Sequence, residues 1–158
     1  MVIECGTVTE RLKRLPRMVK IVAVSGYFDP PTPAHLSYFE EAKKLGDRLV
    51  VLLNNDEQLL LKRKGTKLEG KIRYPLVDRG VIIRGFRWVD EVVVCIDTNL
   101  SVAKTIKMVR PNIFAKGGDR TIDTLPKEEV EACAEVGCEI VTGVGCPKSH
   151  SSSWYDWE

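Results

Sequence analysis

The sequence predicts an α/β fold in which five parallel strands form one sheet with helices on both of its faces. Short runs rich in Val, Ile and Leu alternate along the chain with longer segments that have helical periodicity. The apolar runs are nearly continuous, as is typical of strands that are buried on both faces of a parallel sheet. Regular strand–helix alternation of this kind indicates successive βαβ units.

The first half of the chain predicts two strands, each followed by a helix. Lys20–Ser25 contains the run Ile-Val-Ala-Val and predicts a buried strand. Ala34–Leu45 predicts a helix that ends at Gly46, because its apolar residues recur at helical spacing. Arg48–Asn54, rich in Val and Leu, predicts the second strand, and Asp56–Arg63 predicts the helix that follows it.

The second half continues the alternation after a polar loop at Lys64–Arg73, which contains two glycines. Pro75–Arg87 predicts a helix, although it also contains two glycines. Glu91–Ile96, with three consecutive valines, predicts the third strand. The remaining predicted elements are a helix at Ser101–Val109, a short strand at Ile113–Ala115, a helix at Pro126–Val136 that begins with proline, and a fifth strand at Glu139–Thr142.

Chain length predicts one domain. With 158 residues the chain is large enough to bury a core, and we assign residues 19–158 to a single domain. Residues 1–18 are interpreted as an N-terminal extension in which Val8–Leu15 could form a short basic helix.

Composition excludes several classes of function. The net charge is +2 and both signs are mixed along the chain, which argues against a dedicated nucleic-acid binder. No apolar run is long enough to cross a bilayer, and the N-terminus lacks the apolar core of a secretory signal, so we expect a cytoplasmic protein without a membrane partner. Five irregularly spaced cysteines and two histidines predict no metal site.

The turn after the first strand is the strongest candidate site. Gly26, Tyr27, Phe28 and Asp29 connect the strand to the next helix, and such a junction presents backbone N–H groups and a positive helix end that bind phosphate. Thr32 and His35 lie three residues apart, so both could face the same anion. An ordinary proline-rich turn with a helix-capping threonine would explain Thr32 and the prolines, but not their combination with His35. In parallel sheets ligands bind beyond the carboxyl ends of the strands, which is where this turn lies.

This stretch resembles the signature of the nucleotidylyltransferase superfamily, Gly-x-Phe-Asp-x-x-(His or Thr)-x-Gly-His. Ala34 stands where the family usually has glycine. From Lys20 to Trp154 the chain is similar to the cytidylyltransferase-like branch, which includes glycerol-3-phosphate cytidylyltransferases and heptose 1-phosphate adenylyltransferase domains. The resemblance implies a Rossmann-like sheet.

The resemblance also implies roles for individual residues. His35 would be the main donor to the phosphate in the transition state, with Thr32 assisting, and Lys62 and Lys64 would hold the triphosphate or the acceptor phosphate. A solvated helix end is an equal alternative for either lysine alone. The nucleotide- and phosphate-binding residues implied are Gly26, Tyr27, Phe28, Asp29, Arg79, Arg87, Gly117, Gly118, Asp119, Ser151, Ser152 and Ser153.

Two of these assignments have alternatives, and a third departs from the family pattern. Asp29 either braces the first loop or helps to position a metal ion. Arg87 either contacts a phosphate or forms a structural ion pair with Asp90 or Glu91. The serines at 151–153 resemble the second family signature, but Trp154 follows them where the family carries Ile-Arg.

The implied reaction transfers a nucleoside monophosphate from ATP or CTP to a small phosphorylated sugar or polyol and releases pyrophosphate. Mg²⁺ is expected to accompany the triphosphate, and a homodimer is expected. Adenylylation of a phosphorylated cofactor precursor, FMN or phosphopantetheine, is an alternative. Another is a nucleotide-binding relative without catalysis, which Ala34 and the departure after Ser153 would favour. The sequence Lys116-Gly117-Gly118-Asp119 is similar to the heptose-type enzymes and favours ATP modestly.

Overall fold

The computed structural model describes residues 5–14 and 18–146 of the chain, with side chains from Val8 onward. It confirms the predicted α/β class, since all five strands are parallel and lie in one sheet. The elements in chain order are α1 (Cys5–Lys13), β1 (Ile21–Gly26), α2 (Pro33–Lys43), β2 (Arg48–Leu53), α3 (Asp56–Arg63), α4 (Leu76–Arg84), β3 (Glu91–Val94), α5 (Ala103–Val109), β4 (Ile113–Gly117), α6 (Lys127–Val136) and β5 (Glu139–Val144).

The strand order is β3-β2-β1-β4-β5, which places β1 at the centre of the sheet. The chain builds outward from β1 to β2 and β3, and then returns to the other side of β1 with β4 and β5. This reversal creates a crevice beyond the carboxyl ends of β1 and β4, and crevices of this kind bind ligands in open α/β sheets. The turn after β1, formed by residues 26–29 and called the glycine turn below, therefore opens onto the crevice.

Several predicted boundaries differ from the observed ones. The predicted helix Pro75–Arg87 ends three residues earlier, because Gly85 caps α4. The last two strands are longer than predicted, and Gly117 at the end of β4 pairs with Val144 at the end of β5. Glycine has weak strand propensity, so this extension depends on pairing between the two strands and could not be predicted from local sequence.

Helices cover the sheet on both faces and divide the core into two clusters. One cluster lies beneath α1, α5 and α6, and the other lies beneath α2 and α4. Helix α1 begins before the predicted Val8–Leu15 segment, and it buries Val8 and Leu12 in the first cluster. Within the described residues, no helix combines the length and the apolar character that a membrane span requires.

Candidate functional site

A cavity of about 760 Å³ lies at the carboxyl ends of the central strands. Its lining comes from the glycine turn after β1, from α3 and the loop after it, from the end of β4, and from the starts of α5 and α6. Five cationic side chains line it against three carboxylates: Lys62, Arg63, Lys67, Lys116 and Arg120 against Asp29, Asp119 and Glu129. The excess of positive charge favours an anionic ligand.

The glycine turn is shaped by Phe28. This residue has a φ of 51°, in the left-handed region, and its ring is buried. The ring folds back over Gly26, where a Cβ atom would lie only 2.5 Å from it, so the first position requires glycine. Phe28 also makes an edge-on contact with the ring of His35, at 4.8 Å between centroids. The turn therefore fixes the imidazole at the cavity wall.

The imidazole is oriented by a second contact. The backbone N–H of Thr32 donates to Nδ1 of His35 at 2.8 Å, in a reciprocal capping arrangement at the start of α2. Because Nδ1 accepts this hydrogen bond, the neutral ring carries its hydrogen on Nε2. Thr32 itself is 4% exposed and lies outside the cavity lining. It orients His35 from behind, whereas the sequence suggested a direct contact with phosphate.

Asp29 braces the loop. Its carboxylate accepts hydrogen bonds from the backbone N–H groups of Arg73 and Tyr74 at 2.9 and 2.7 Å. It also forms a buried ion pair with Arg63 at 2.7 Å. Both oxygens are thus occupied by protein donors, which favours the bracing interpretation over a metal-positioning one. The described residues also contain no group of three His, Cys, Asp or Glu side chains placed to hold a metal ion.

Three consecutive basic residues at the end of α3, Lys62, Arg63 and Lys64, have different surroundings. Lys62 enters the cavity, with its Nζ 4.2 Å from the centroid of the Tyr27 ring. Arg63 is buried against Asp29, and Lys64 is exposed outside the lining. Lys67 also lines the cavity, because it follows the turn at Gly65. The sequence offers one signal for this position, since Lys67 closely follows Lys62-Arg63-Lys64.

Tyr27 forms the wall beside Lys62. Burial raises the pKa of Tyr27 to about 12. The phenol therefore keeps its proton at neutral pH, and the side chain acts as an aromatic surface with one hydroxyl donor. It is not a candidate base.

Arg79 lies behind the cavity and not in it. Its side chain is fully buried and donates to the carbonyl oxygens of Tyr27, Asn54 and Tyr74 at 2.7 to 2.9 Å. It also pairs with Asp56. These acceptors enclose the guanidinium, so the phosphate contact that the resemblance implied is not available to it. Arg79 instead ties together the loops after β1 and β2.

Arg87 lies far from the cavity, because it precedes β3 and therefore sits at the amino end of the sheet. Its guanidinium stacks over Trp88, at 5.8 Å from the ring centroid. The ion pairs that the sequence suggested are made by other residues: Lys43 pairs with Asp90, and Arg11 pairs with Glu91. Neither interpretation of Arg87 describes the observed contacts.

The end of β4 provides the opposite wall. Gly117 and Asp119 line the cavity, whereas Gly118 packs against the chain after β5, with its Cβ position 3.3 Å from the oxygen of Gly145. A Cβ atom at Gly117 would meet no atom within 4 Å, and its φ is not positive. Nothing in the described protein requires a glycine there, so the position leaves open backbone for a ligand.

The floor of the cavity contains a buried ion pair that the sequence did not indicate. Nζ of Lys116 lies 3.7 Å from Oε2 of Glu129 and donates to Oγ of Ser25 at 3.1 Å. Burial lowers the pKa of Lys116 and raises the pKa of Glu129, because each charged form loses solvent. The two residues are 13 positions apart, on a strand and on a helix, so local sequence carries no signal for their contact.

The chain after β5 turns across the start of α2. Gly145 has a φ of 87°, and a Cβ atom there would lie 2.8 Å from Cα of Tyr38. The backbone N–H of Cys146 then donates to Oγ of Ser37 at 2.9 Å. The predicted binding residues Ser151, Ser152 and Ser153 lie outside the described residues.

Comparison with known proteins agrees with this geometry. Residues 23–153 match the family model described as cytidylyltransferase-like. The bifunctional protein HldE from Hahella chejuensis is 36% identical over 128 residues, which cover 80% of this chain and 23% of that protein. The HldE protein from Haemophilus ducreyi is 35% identical over 137 residues, covering 83% of this chain and 26% of that protein.

A solved structure shares the fold. The crystal structure of the lipopolysaccharide core biosynthesis protein from Thermoplasma volcanium has a TM-score of 0.64 and 26% identity, and the match covers 82% of this chain and 99% of that one. The chain spans about a quarter of the length of the curated relatives it matches. The match to the family model covers most of the chain, and the chain belongs to the cytidylyltransferase-like family of the nucleotidylyltransferase superfamily.

Proposed function

We propose that this protein transfers a nucleoside monophosphate from ATP or CTP to the phosphate of a small sugar or polyol and releases pyrophosphate. The observation that carries the proposal is that His35, Lys62 and Lys67 line one cavity at the strand ends. The fixed tautomer gives the imidazole a hydrogen on Nε2, and an N–H donor of this kind can stabilise charge on a phosphoryl group.

The chemistry needs positioning more than acid–base catalysis. An oxygen of the acceptor phosphate attacks the α-phosphorus of the triphosphate, a new P–O bond forms, and the bond to pyrophosphate breaks. The acceptor phosphate is already an anion at neutral pH, so no general base is required. His35 would donate to an oxygen on the α-phosphorus, and Lys62 and Lys67 would offset the charge of the triphosphate. Mg²⁺ would arrive with the triphosphate as part of the substrate.

A sugar acceptor is supported by two observations. The structural relative is named for lipopolysaccharide core biosynthesis, and the sequence resembles heptose 1-phosphate adenylyltransferase domains. A homodimer remains a prediction.

Pyrophosphate release tests the proposal. The purified chain is incubated with ATP or CTP, with Mg²⁺, and with a panel of sugar phosphates, polyol phosphates, FMN and phosphopantetheine. We expect release with a sugar or polyol phosphate and one of the two nucleotides. Release with FMN or phosphopantetheine alone would support the cofactor alternative. Nucleotide binding without release in any combination would support a relative without catalysis.

Substitution of His35 tests its role directly. In His35→Asn the amide oxygen can accept the hydrogen bond from Thr32 that Nδ1 now accepts, whereas the Nε2 donor is lost. We expect kcat to fall by about 100- to 1,000-fold, as for other donors to a transition-state oxyanion, with little change in melting temperature. In His35→Ala the cap is lost as well, so the protein should also become less stable. Full turnover by the Asn variant would remove His35 from the mechanism.

A further inference from the structure

The ion pair between Glu129 and Lys116 on the cavity floor is only partly explained by the fold. Oε1 of Glu129 accepts a hydrogen bond from the backbone N–H of Val102 at 3.2 Å, at the start of α5. Oε2 is buried and makes no hydrogen bond with any of the described residues. Its nearest cation is Nζ of Lys116, at 3.7 Å, beyond hydrogen-bond distance.

Burying Oε2 of Glu129 costs free energy unless a hydrogen-bond donor replaces its lost water. Glu129 is 3% exposed, and a buried carboxylate oxygen without a hydrogen-bond donor loses its hydration without replacement. Lys116 is better satisfied, since it donates to Ser25 and lies 4.7 Å from the centroid of the Phe114 ring. The unmet requirement is therefore a donor to Oε2 of Glu129. All three side chains that could take part, Ser25, Lys116 and Glu129, line the cavity.

Part of the cavity wall is apolar. Leu59, Leu100, Val102 and Pro126 line the cavity together with Glu129; Leu59 lies in α3, and the other three lie in the segments just before α5 and α6. A ligand that fits must present hydroxyl groups to the floor and C–H surface to the walls. Both features belong to the carbon skeleton of a sugar or a polyol. The pair as a whole carries no net charge, so it favours neutral hydroxyl groups over a charged amine.

We propose that Glu129 and Lys116 form a subsite that binds hydroxyl groups of a substrate sugar, with Oε2 of Glu129 accepting from one hydroxyl and Nζ of Lys116 donating to a neighbouring one. This inference rests on the proposed function for the identity of the sugar. The hydroxyl groups could belong to either substrate, the acceptor or the ribose of the nucleotide. The experiment distinguishes these two cases.

The test compares binding by the wild-type protein and by Glu129→Gln in isothermal titration calorimetry. Glutamine can keep the acceptor for Val102, but it can place an amide donor where Oε2 now lies. The acceptor probes are mannose 1-phosphate, ribose 5-phosphate and glycerol 3-phosphate, with inorganic phosphate as the reference. The nucleotide probes are ATP and CTP, with their 2′,3′-dideoxy forms as references. Glu131→Gln, on the exposed side of the same helix, is the matched control.

We expect the wild-type protein to bind at least one hydroxylated probe about tenfold more tightly than its reference, and Glu129→Gln to abolish that preference. The affinity for the reference ligand should change less than about twofold. Loss confined to the sugar phosphates assigns the subsite to the acceptor, and loss confined to the nucleotides assigns it to ribose. If Glu129→Gln does not fold, the double variant Lys116→Met, Glu129→Gln removes both charges together and tests the same preference.

Two results overturn the inference: a wild-type protein without preference for hydroxylated probes, or a preference that survives in the substituted protein. Neither result bears on the proposed function, which depends on pyrophosphate release by the wild-type protein. Conversely, a hydroxyl preference that depends on Glu129 in a protein that releases no pyrophosphate would leave the subsite standing and contradict the proposed function.

Discussion

Gly117 is a glycine that the described protein does not itself require. A methyl group there would meet no atom within 4 Å, and the backbone is outside the left-handed region. It lies instead on the cavity wall. Glycine in this position therefore leaves the backbone open to a ligand, as the predicted binding role would require.

The substitution Gly117→Ala is expected to distinguish a requirement of ligand binding from a requirement of folding. The melting temperature should stay within experimental error, whereas kcat/KM in pyrophosphate release should fall about 100-fold, because a displacement near ~1 Å of bound substrate is enough for such a loss. Gly137 is the matched control, since it is equally open but has a φ of 70° at the end of α6. Gly137→Ala should cost about 1 kcal/mol of stability and leave activity unchanged. Unchanged kcat/KM in Gly117→Ala would show that no ligand contacts this wall.

The geometry of helix α3 determines which of two lysines lines the cavity. Lys62 and Lys64 are two residues apart at the end of the helix, so they project in different directions. The structure directs Lys62 into the cavity and leaves Lys64 exposed outside it. The sequence alone suggested both.

Lys62→Met is therefore expected to lower kcat/KM about 100-fold through loss of a cation near the triphosphate. Lys64→Met should lower kcat/KM by no more than about tenfold, because Lys64 lies outside the cavity lining and its charge acts on the triphosphate only through screening solvent. Steady-state kinetics at fixed ionic strength measures both. Equal losses would mean that the loop after α3 moves Lys64 into the site during catalysis.

Arg79 joins three elements from the interior. It connects α4 to the ends of β1 and β2 and to the start of α3, so its contacts support the whole glycine turn. Arg79→Met should destabilise the protein by about 3 kcal/mol or more, because the carbonyl groups of Tyr27, Asn54 and Tyr74 lose their donor and Asp56 loses its cation.

Urea unfolding measures this loss. Arg84→Met provides the comparison, because Arg84 lies on the same helix and is exposed. A loss below about 1 kcal/mol for Arg79→Met would contradict the bracing role.

At the scale of the whole molecule, helix α1 belongs to the folded core. Leu12 is buried among residues from β2, β3 and α5, and Arg11 pairs with Glu91 at the start of β3. Leu12→Ala should cost about 2–4 kcal/mol of stability, as for other large-to-small substitutions in a core. KM values should not change, because Leu12 does not line the cavity.

Thermal unfolding of the full chain measures the effect, with Met18→Ala as the control for an exposed apolar side chain. A loss for Leu12→Ala no greater than that of Met18→Ala would mean that the N-terminal residues form an extension separate from the fold.

The sequence by itself determined the fold class and predicted the turn at which the candidate cavity lies. Strand–helix alternation and continuous apolar runs depend on local periodicity, and the glycine turn and its histidine are contiguous in the chain. For that reason Gly26, Phe28, Asp29 and His35 can all be identified from the order of residues alone.

Only the tertiary structure decided which polar residues meet at the cavity. The resemblance implied phosphate contacts for Arg79 and Arg87, yet Arg79 is enclosed in the interior and Arg87 lies at the opposite end of the sheet. Glu129 and Lys116 form the floor because α6 packs beside the end of β4. Side-chain direction and long-range packing set these positions, and neither is encoded in the spacing of residues along the chain.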